Sequence, residues 1–175
     1  MCSSDLSEQY ASHLTWAEQL TNQVLAHAPE AGPSTDRFRA DLAGLLSTSY
    51  VASFECCIKV IFTSFAASKH KILGSVAGFH FRRINSQIGW ERIADHYAAQ
   101  FGDIYRKRFR EFLVEEEVKI MKTKRVSLKE TYVNLIKWRH TFAHEGLCLT
   151  TLEEVTEAFP IAKVVIFKLD EAMSL

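Results

Sequence analysis

The chain is short of the residues that break helices. It has 7 glycines and 3 prolines in 175 residues, where average usage of roughly 12% would give about 21. All three prolines, Pro29, Pro33 and Pro160, sit outside the middle of the chain. That shortage favours long helices and excludes collagen-like or loop-rich scaffolds. The four cysteines, Cys2, Cys56, Cys57 and Cys148, include no CxxC pair, so neither a disulfide framework nor a zinc finger is indicated, and the usage is that of a reducing cytoplasm. Net charge is absent too: 21 Lys and Arg balance 21 Asp and Glu, which leaves no global field to draw the protein onto nucleic acid or an anionic membrane. The N-terminus MCSSDLSEQY has neither a basic nor an apolar segment of the signal-peptide kind. Residues 51–65 form the most apolar stretch, but Glu55 and Lys59 interrupt it, so no membrane span is expected.

What is present is average for a globular protein. Hydrophobic residues make up 47% and charged residues 24%, enough for one packed core and not for a second full domain. Charge is distributed unevenly: from Arg82 to Arg139 there are 14 Lys or Arg against 8 Asp or Glu, a local excess of 6. A solvated helix surface accounts for such an excess as well as a polyanion site does.

Helical spacing organises the chain. Residues 6–28 form a first helix with Leu6, Tyr10, Leu14, Ala17, Val24 and Leu25 on its apolar side, ending at PEAGP. A long second helix starts near Asp36, with Phe38, Leu42, Leu45 and Ser49 on one stripe before apolar residues spread all round from Val51 to Phe62. A helix apolar on every side belongs at the centre of a bundle. Residues 69–87 contain two glycines and no clear period, which reads as a loop or broken helix. Helices over 88–100 and 103–119 follow, then a basic connector, KIMKTKR. Ser127 and Glu130 fit a capping box that starts a fifth helix at Leu128; Gly146 ends it. Thr150 or Thr151 with Glu153 or Glu154 caps a last helix to about Met173, kinked at Pro160. Nothing alternates with period two, so the expected fold is all-α: a single domain over 1–175, with 1–35 an N-terminal helix and loop and 36–175 the core bundle.

Chemistry concentrates on the fifth helix. Leu128, Tyr132, Leu135, Arg139 and Phe142 share a stripe, so Arg139 points where apolar side chains point. A guanidinium there needs a carboxylate, a carbonyl or an external anion. Glu55, alone among apolar neighbours, is the natural internal partner, and a plain bundle with a buried Arg139–Glu55 pair is one reading of these residues. His140 and His144 lie four apart with Glu145 following. A zinc site is a weak reading of HTFAHE, because the glutamate that metalloproteases place directly after the first histidine is missing and no third ligand is marked. A histidine capping a helix end is the commoner case.

The string as a whole, WRHTFAHEG, resembles the signature of the HEPN superfamily: arginine, a polar residue, a short apolar spacer, then histidine. These are Arg139, His140, residues 141–143 and His144. Three further stretches are similar to the RiboL-PSP-HEPN subgroup: SYVASFECCIKVIF with Glu55 in its long helix, RRINSQIGWERIADHYAAQFG, and the capped helix after the motif. Their order agrees with that family, and the resemblance spans roughly residues 36–170. It implies an all-helical bundle with a long central helix that dimerises and, in many members, a metal-independent endoribonuclease of toxin–antitoxin or antiphage systems, with no cofactor and with RNA and an antitoxin or ATPase as partners.

The residue chemistry agrees with that implication. RNA cleavage without a metal needs a base for the 2′-hydroxyl, an acid for the 5′-oxygen and a fixed cation for the phosphorane. Imidazole ordinarily titrates near pH 6.5, and arginine keeps its charge and presents a fork to phosphate. His144 is therefore the candidate acid–base, Arg139 the phosphate clamp, and His140 an orienting or assisting group. Glu55 matches the family's glutamate and is expected to support Arg139 or His140. Arg106, Lys107, Arg108 and Arg110, with Lys122, Lys124 and Arg125, are candidates for the RNA backbone. Five residues of regular helix turn through about 140°, so Arg139 and His144 of one chain do not converge easily unless the helix opens near Ala143; a twofold axis beside the motif would bring each histidine towards the opposite arginine. A non-catalytic HEPN module that binds a nucleotide, an antitoxin or a larger assembly is the alternative, since the histidine at the polar position and the zero net charge depart from the commoner pattern.

Overall fold

The computed structural model describes residues 3–85 and 87–174, with side chains from Tyr10 onwards. Among these residues there is no strand, and the helices are α1 (Ser3–His27), α2 (Asp36–Lys69), α3 (Lys71–Phe81), α4 (Trp90–Arg92), α5 (Asp103–Lys124), α6 (Leu128–Glu145) and α7 (Leu152–Met173). The all-α expectation therefore holds. Helix α2 is the axis: α1, α3, α6 and α7 all pack on it. Its buried residues include Tyr50, Phe54, Ile58 and Phe62 at four-residue intervals, a ridge that meets rings from three directions. Tyr50 stacks on Phe159 of α7 at 4.2 Å, Phe54 on Tyr132 of α6 at 5.7 Å, and Phe62 on Phe81 of α3 at 4.9 Å between centroids. Such pairs add about 0.5–1.5 kcal/mol each beyond the area they bury.

Helix α2 is less enclosed than its sequence implies. Phe38 and Leu45 are 54% and 56% exposed, Ala52 is exposed, and Cys56 is half-buried. These residues share one stripe that no other helix covers. Helix α2 is also long and apolar enough to cross a membrane, and half of its most apolar window is buried within the bundle, as befits a core helix. On α1, Tyr10, Leu14 and Ala17 are buried whereas Leu25 is 48% exposed; the side chain of Leu6 lies outside the described ones. Tyr10 donates to Asp170 of α7 at 2.9 Å, and the hydroxyls of Thr21 and Tyr50 are 2.6 Å apart.

Three boundaries differ from expectation. The stretch 69–87 is broken at His70, whose imidazole caps the next helix by accepting from the Ile72 amide at 3.2 Å, but 71–81 is a full helix, α3. Its glycines are contact residues: a Cβ on Gly74 would lie 2.6 Å from that of Ala67 on α2, so glycine lets two backbones meet. The expected helix over 88–100 is composite, one α turn in α4 followed by a π turn (Ile93–Tyr97) and a 3₁₀ turn (Ala98–Phe101). Helix α5 runs five residues further than expected, through most of KIMKTKR, and ends with Arg125 in the left-handed region at φ 57°. Helix α7 spans Leu152–Met173 as expected, with Pro160 inside it. The ring sits on the solvent side, where water can take the carbonyl that loses its helical donor.

The boundaries around the motif follow the sequence. Ser127 accepts from the Glu130 amide at 3.1 Å to start α6, and Gly146 at φ 64° closes it. Thr151 and Glu154 form the reciprocal box that starts α7, at 3.1 and 3.0 Å.

Candidate active site

Helix α6 lies antiparallel to α2. Its start meets the middle of α2 through Tyr132 and Phe54, and its end meets the first turns of α2, where Gly44 faces the Phe142 ring. Arg139, His140 and His144 thus lie on the last two turns of α6, beside the N-terminal end of α2. The helix stays regular through Ala143 to Glu145, so no opening there rotates His144 towards Arg139.

The two histidines do converge. Their ring centroids are 4.3 Å apart at an interplanar angle of 51°, and both side chains are exposed. Arg139 is half-buried at the edge of the α2-facing stripe. It lines a shallow hollow of about 350 Å³ with Ile136, Lys137, His140 and Thr141, all from α6, and it forms no ion pair among the described residues. A half-buried guanidinium with His140 beside it in the hollow can take an external anion, with a proton carrier adjacent to it.

Glu55 lies on the middle of α2. It is half-buried at the level of Tyr132, whose hydroxyl donates to the Ile88 carbonyl at 2.8 Å. Burial pushes that phenol far above its ordinary pKa, and the charges of Cys57 and Glu55 add to the effect. Tyr132 precedes Arg139 by seven residues, about 10 Å along a helix. No ion pair joins Glu55 to Arg139 among the described residues, and antiparallel packing sets the end of α6 against the start of α2.

The basic residues of α5 are likewise remote from the histidines. Arg106 and Lys107 pair with Asp103 on their own helix. Arg110 pairs with Asp95 at 2.6 Å and lies over the Trp90 ring at 5.7 Å, on which Lys129, at the start of α6, also sits at 4.7 Å. Arg108 is half-buried, and Lys122, Lys124 and Arg125 are exposed at the turn that precedes α6. From Lys129 to His140 and His144 the helix rises about 16–22 Å. One chain therefore sets its α5 cations and its histidines at different ends of α6.

A cation that the motif did not indicate is Arg37. From the first turn of α2 it donates to the Gly146 carbonyl at 3.4 Å and pairs with Asp41 at 3.3 Å. It reaches the end of α6 only because α2 and α6 are antiparallel, which no local spacing in the sequence marks. Its neighbour Arg39 is tied to the Pro29 carbonyl and to Glu153, holding the loop after α1 and the start of α7 against α2. Among the described residues no three His, Cys, Asp or Glu side chains gather as metal ligands.

No curated protein and no solved structure matches this chain. The profile of one domain family does, over residues 12–175, a span that contains the long α2, the Arg139–His144 segment of α6 and the capped α7. The chain belongs to the RiboL-PSP-HEPN family.

Proposed function

We propose that this protein is a metal-independent endoribonuclease of a toxin–antitoxin or antiphage system, working in the cytoplasm as a homodimer. The observation that carries the reading is the exposed His140–His144 pair on the same end of α6 as Arg139, a half-buried arginine that forms no ion pair among the described residues. A pure scaffold has no physical need for titratable groups next to an open cation, whereas phosphodiester cleavage needs both. HEPN domains are commonly ribonucleases.

In the proposed reaction Arg139 binds a non-bridging phosphate oxygen. A neutral imidazole takes the 2′-hydroxyl proton, and the 2′-oxygen attacks phosphorus. The bond from phosphorus to the 5′-oxygen breaks, and that oxygen receives a proton from an imidazolium. The products are a 2′,3′-cyclic phosphate and a 5′-hydroxyl. His144 is assigned acid–base work, with His140 orienting its ring or serving as the second proton carrier. Arg37 adds positive potential at the same end.

The open stripe of α2 supports a shared site about a twofold axis. Phe38, Leu45 and Ala52 form an uncharged exposed row next to the helix that carries the motif, and a second copy laid on it would set two motifs close together. The α5 cations of one protomer could then face RNA held at the histidines of the other. The alternative, a non-catalytic HEPN module that binds an antitoxin or a larger assembly, draws on the pairing of Arg106, Lys107 and Arg110 with acids of their own chain. The deciding experiment incubates RNA with wild type and His144→Ala in EDTA and maps the ends. Cyclic phosphates from wild type alone support the nuclease. Equal cleavage by both, 5′-phosphate ends, or complete dependence on Mg²⁺ rejects it.

A further inference from the structure

The far end of α2 carries a second surface. Between the end of α2, α3, the 3₁₀ turn and the start of α5 lies a hollow of about 620 Å³, floored by Phe65, Phe81, Phe101 and Tyr105 and edged by Leu73 and Val76. The apolar surface extends beyond it. Ile72, Val76 and Phe79 are 65%, 60% and 72% exposed, and Ile104 across the hollow is 59% exposed. The first three fall at i, i+4 and i+7, one stripe of α3. Helix α3 cannot turn this stripe inward, because Gly74 already seats its opposite side on Ala67.

The charge on the α2–α3 side of the hollow is of one sign, and Asp103 across it is held by Arg106 and Lys107. From residue 56 to residue 90 the sequence has no Asp or Glu and five Lys or Arg. Four of these, Lys69, Lys71, Arg82 and Arg83, border the stripe and make no ion pair among the described residues, in contrast to the paired cations of α5. Lys69 lies over the Phe65 ring at 4.9 Å, and Arg83 over Phe79 at 5.9 Å, positions that leave their remaining donors outward.

We infer that this groove is the docking site for an acidic amphipathic helix of a partner protein. Its leucine-like stripe would lie along Ile72, Val76 and Phe79, with one large apolar residue in the hollow and its carboxylates on Lys69, Lys71, Arg82 and Arg83. From Ile72 to Phe79 the stripe is about 10 Å long, two turns of a partner helix, and apolar anchors at this spacing are how helices are read in grooves. A second copy of this chain is disfavoured, since a twofold contact here sets like charges opposite one another. A bilayer offers no side chain to fill a concavity of this size. RNA would use ring faces, and aliphatic side chains dominate the exposed stripe.

The test uses the full chain and a display library of amphipathic helices about 18 residues long, with a fixed leucine stripe and flanks randomised among Glu, Gln and Lys. Glu-rich flanks should be enriched, and the best peptide should lose at least tenfold in affinity against Phe79→Glu and against Arg82→Glu/Arg83→Glu. Both changes lie on exposed side chains, and circular dichroism should show the variants folded. His144→Ala should bind the peptide as wild type does, which separates this result from the fate of the nuclease reading. Enrichment of neutral or Lys-rich flanks, or affinity indifferent to Phe79, overturns the proposal. So does Phe79-dependent sedimentation with 3:1 phosphatidylcholine–phosphatidylglycerol vesicles, or displacement of the peptide by an RNA oligonucleotide.

Discussion

Gly44 and Phe142 touch so closely that a Cβ on Gly44 would lie 2.2 Å from Cδ2 of the ring. The glycine gives Phe142 its seat, and Phe142 sits on the turn of α6 that separates His140 from His144. Gly44→Ala must displace the ring or the helix, and overpacking of this kind costs about 1–3 kcal/mol. It should lower both the melting temperature and RNA cleavage with every proposed site residue still in place. Adding Phe142→Leu to the same chain should return part of the stability, an interaction that a double-mutant cycle measures. A Gly44→Ala protein that melts and cleaves as wild type does would show that the contact positions nothing.

Arg139 should matter to rate far more than to stability. Arg139→Ala is expected to reduce kcat by about 10²–10³, the usual loss when one preorganised donor to transition-state charge is removed. Arg139→Lys, which keeps the charge and loses the fork, should fall between the two. Because no ion pair holds Arg139 among the described residues, neither variant strands a carboxylate, and thermal melts should stay close to wild type. A large fall in melting temperature for Arg139→Ala would reassign the residue to structure.

The open stripe of α2 predicts assembly. Sedimentation or light scattering should give about twice the chain mass of 20.0 kDa at micromolar concentration. Leu45→Glu and Phe38→Glu, at side chains already more than half exposed, should give folded monomers with weakened cleavage. Mixed Arg139→Ala and His144→Ala chains should recover partial activity, since one twofold site of the mixed dimer keeps an intact pair. Monomers that cleave as well as wild type would refute the shared site and leave the nuclease standing.

Burial pushes the Asp170 carboxyl above its ordinary pKa, against the lowering effect of the hydrogen bond from Tyr10. A carboxyl raised in the fold binds its proton more readily there than in the unfolded chain. Its contribution is therefore present below the unfolded value and lost as pH rises through the folded one. Asp170→Asn keeps an acceptor for Tyr10 and removes the charge. The variant should melt at least as high as wild type at pH 7 and show a smaller fall in melting temperature between pH 4 and pH 7. A lower melting temperature for Asp170→Asn at pH 7, with the steeper fall retained, would contradict this account.

The sequence made local events readable and left distant ones hidden. The Ser127 start, the Gly146 stop and the Thr151–Glu154 box each depend on residues three or four apart, and each appears in place. Helix α3 was obscured because Gly74 reads as a breaker when only its own segment is considered, and its use becomes visible only once Ala67 stands opposite. Phe38 and Leu45 follow the same periodicity as a buried stripe, so spacing alone could not mark them as uncovered. In the site, the meeting of His140 and His144 follows from a four-residue interval. The arrival of Arg37 depends on how α2 and α6 are aligned, which no interval encodes.

The length of α2 sets the relation between its two ends. From Gly44, level with the motif, to Phe65, at the floor of the far hollow, 21 residues of helix rise about 32 Å, three to four Debye lengths at physiological salt. Charge brought to one end is screened before it reaches the other. A partner helix on α3 and RNA at α6 would therefore be electrostatic strangers, and any influence of one on the other has to travel as displacement of the shared helix, a mechanical link that salt does not weaken.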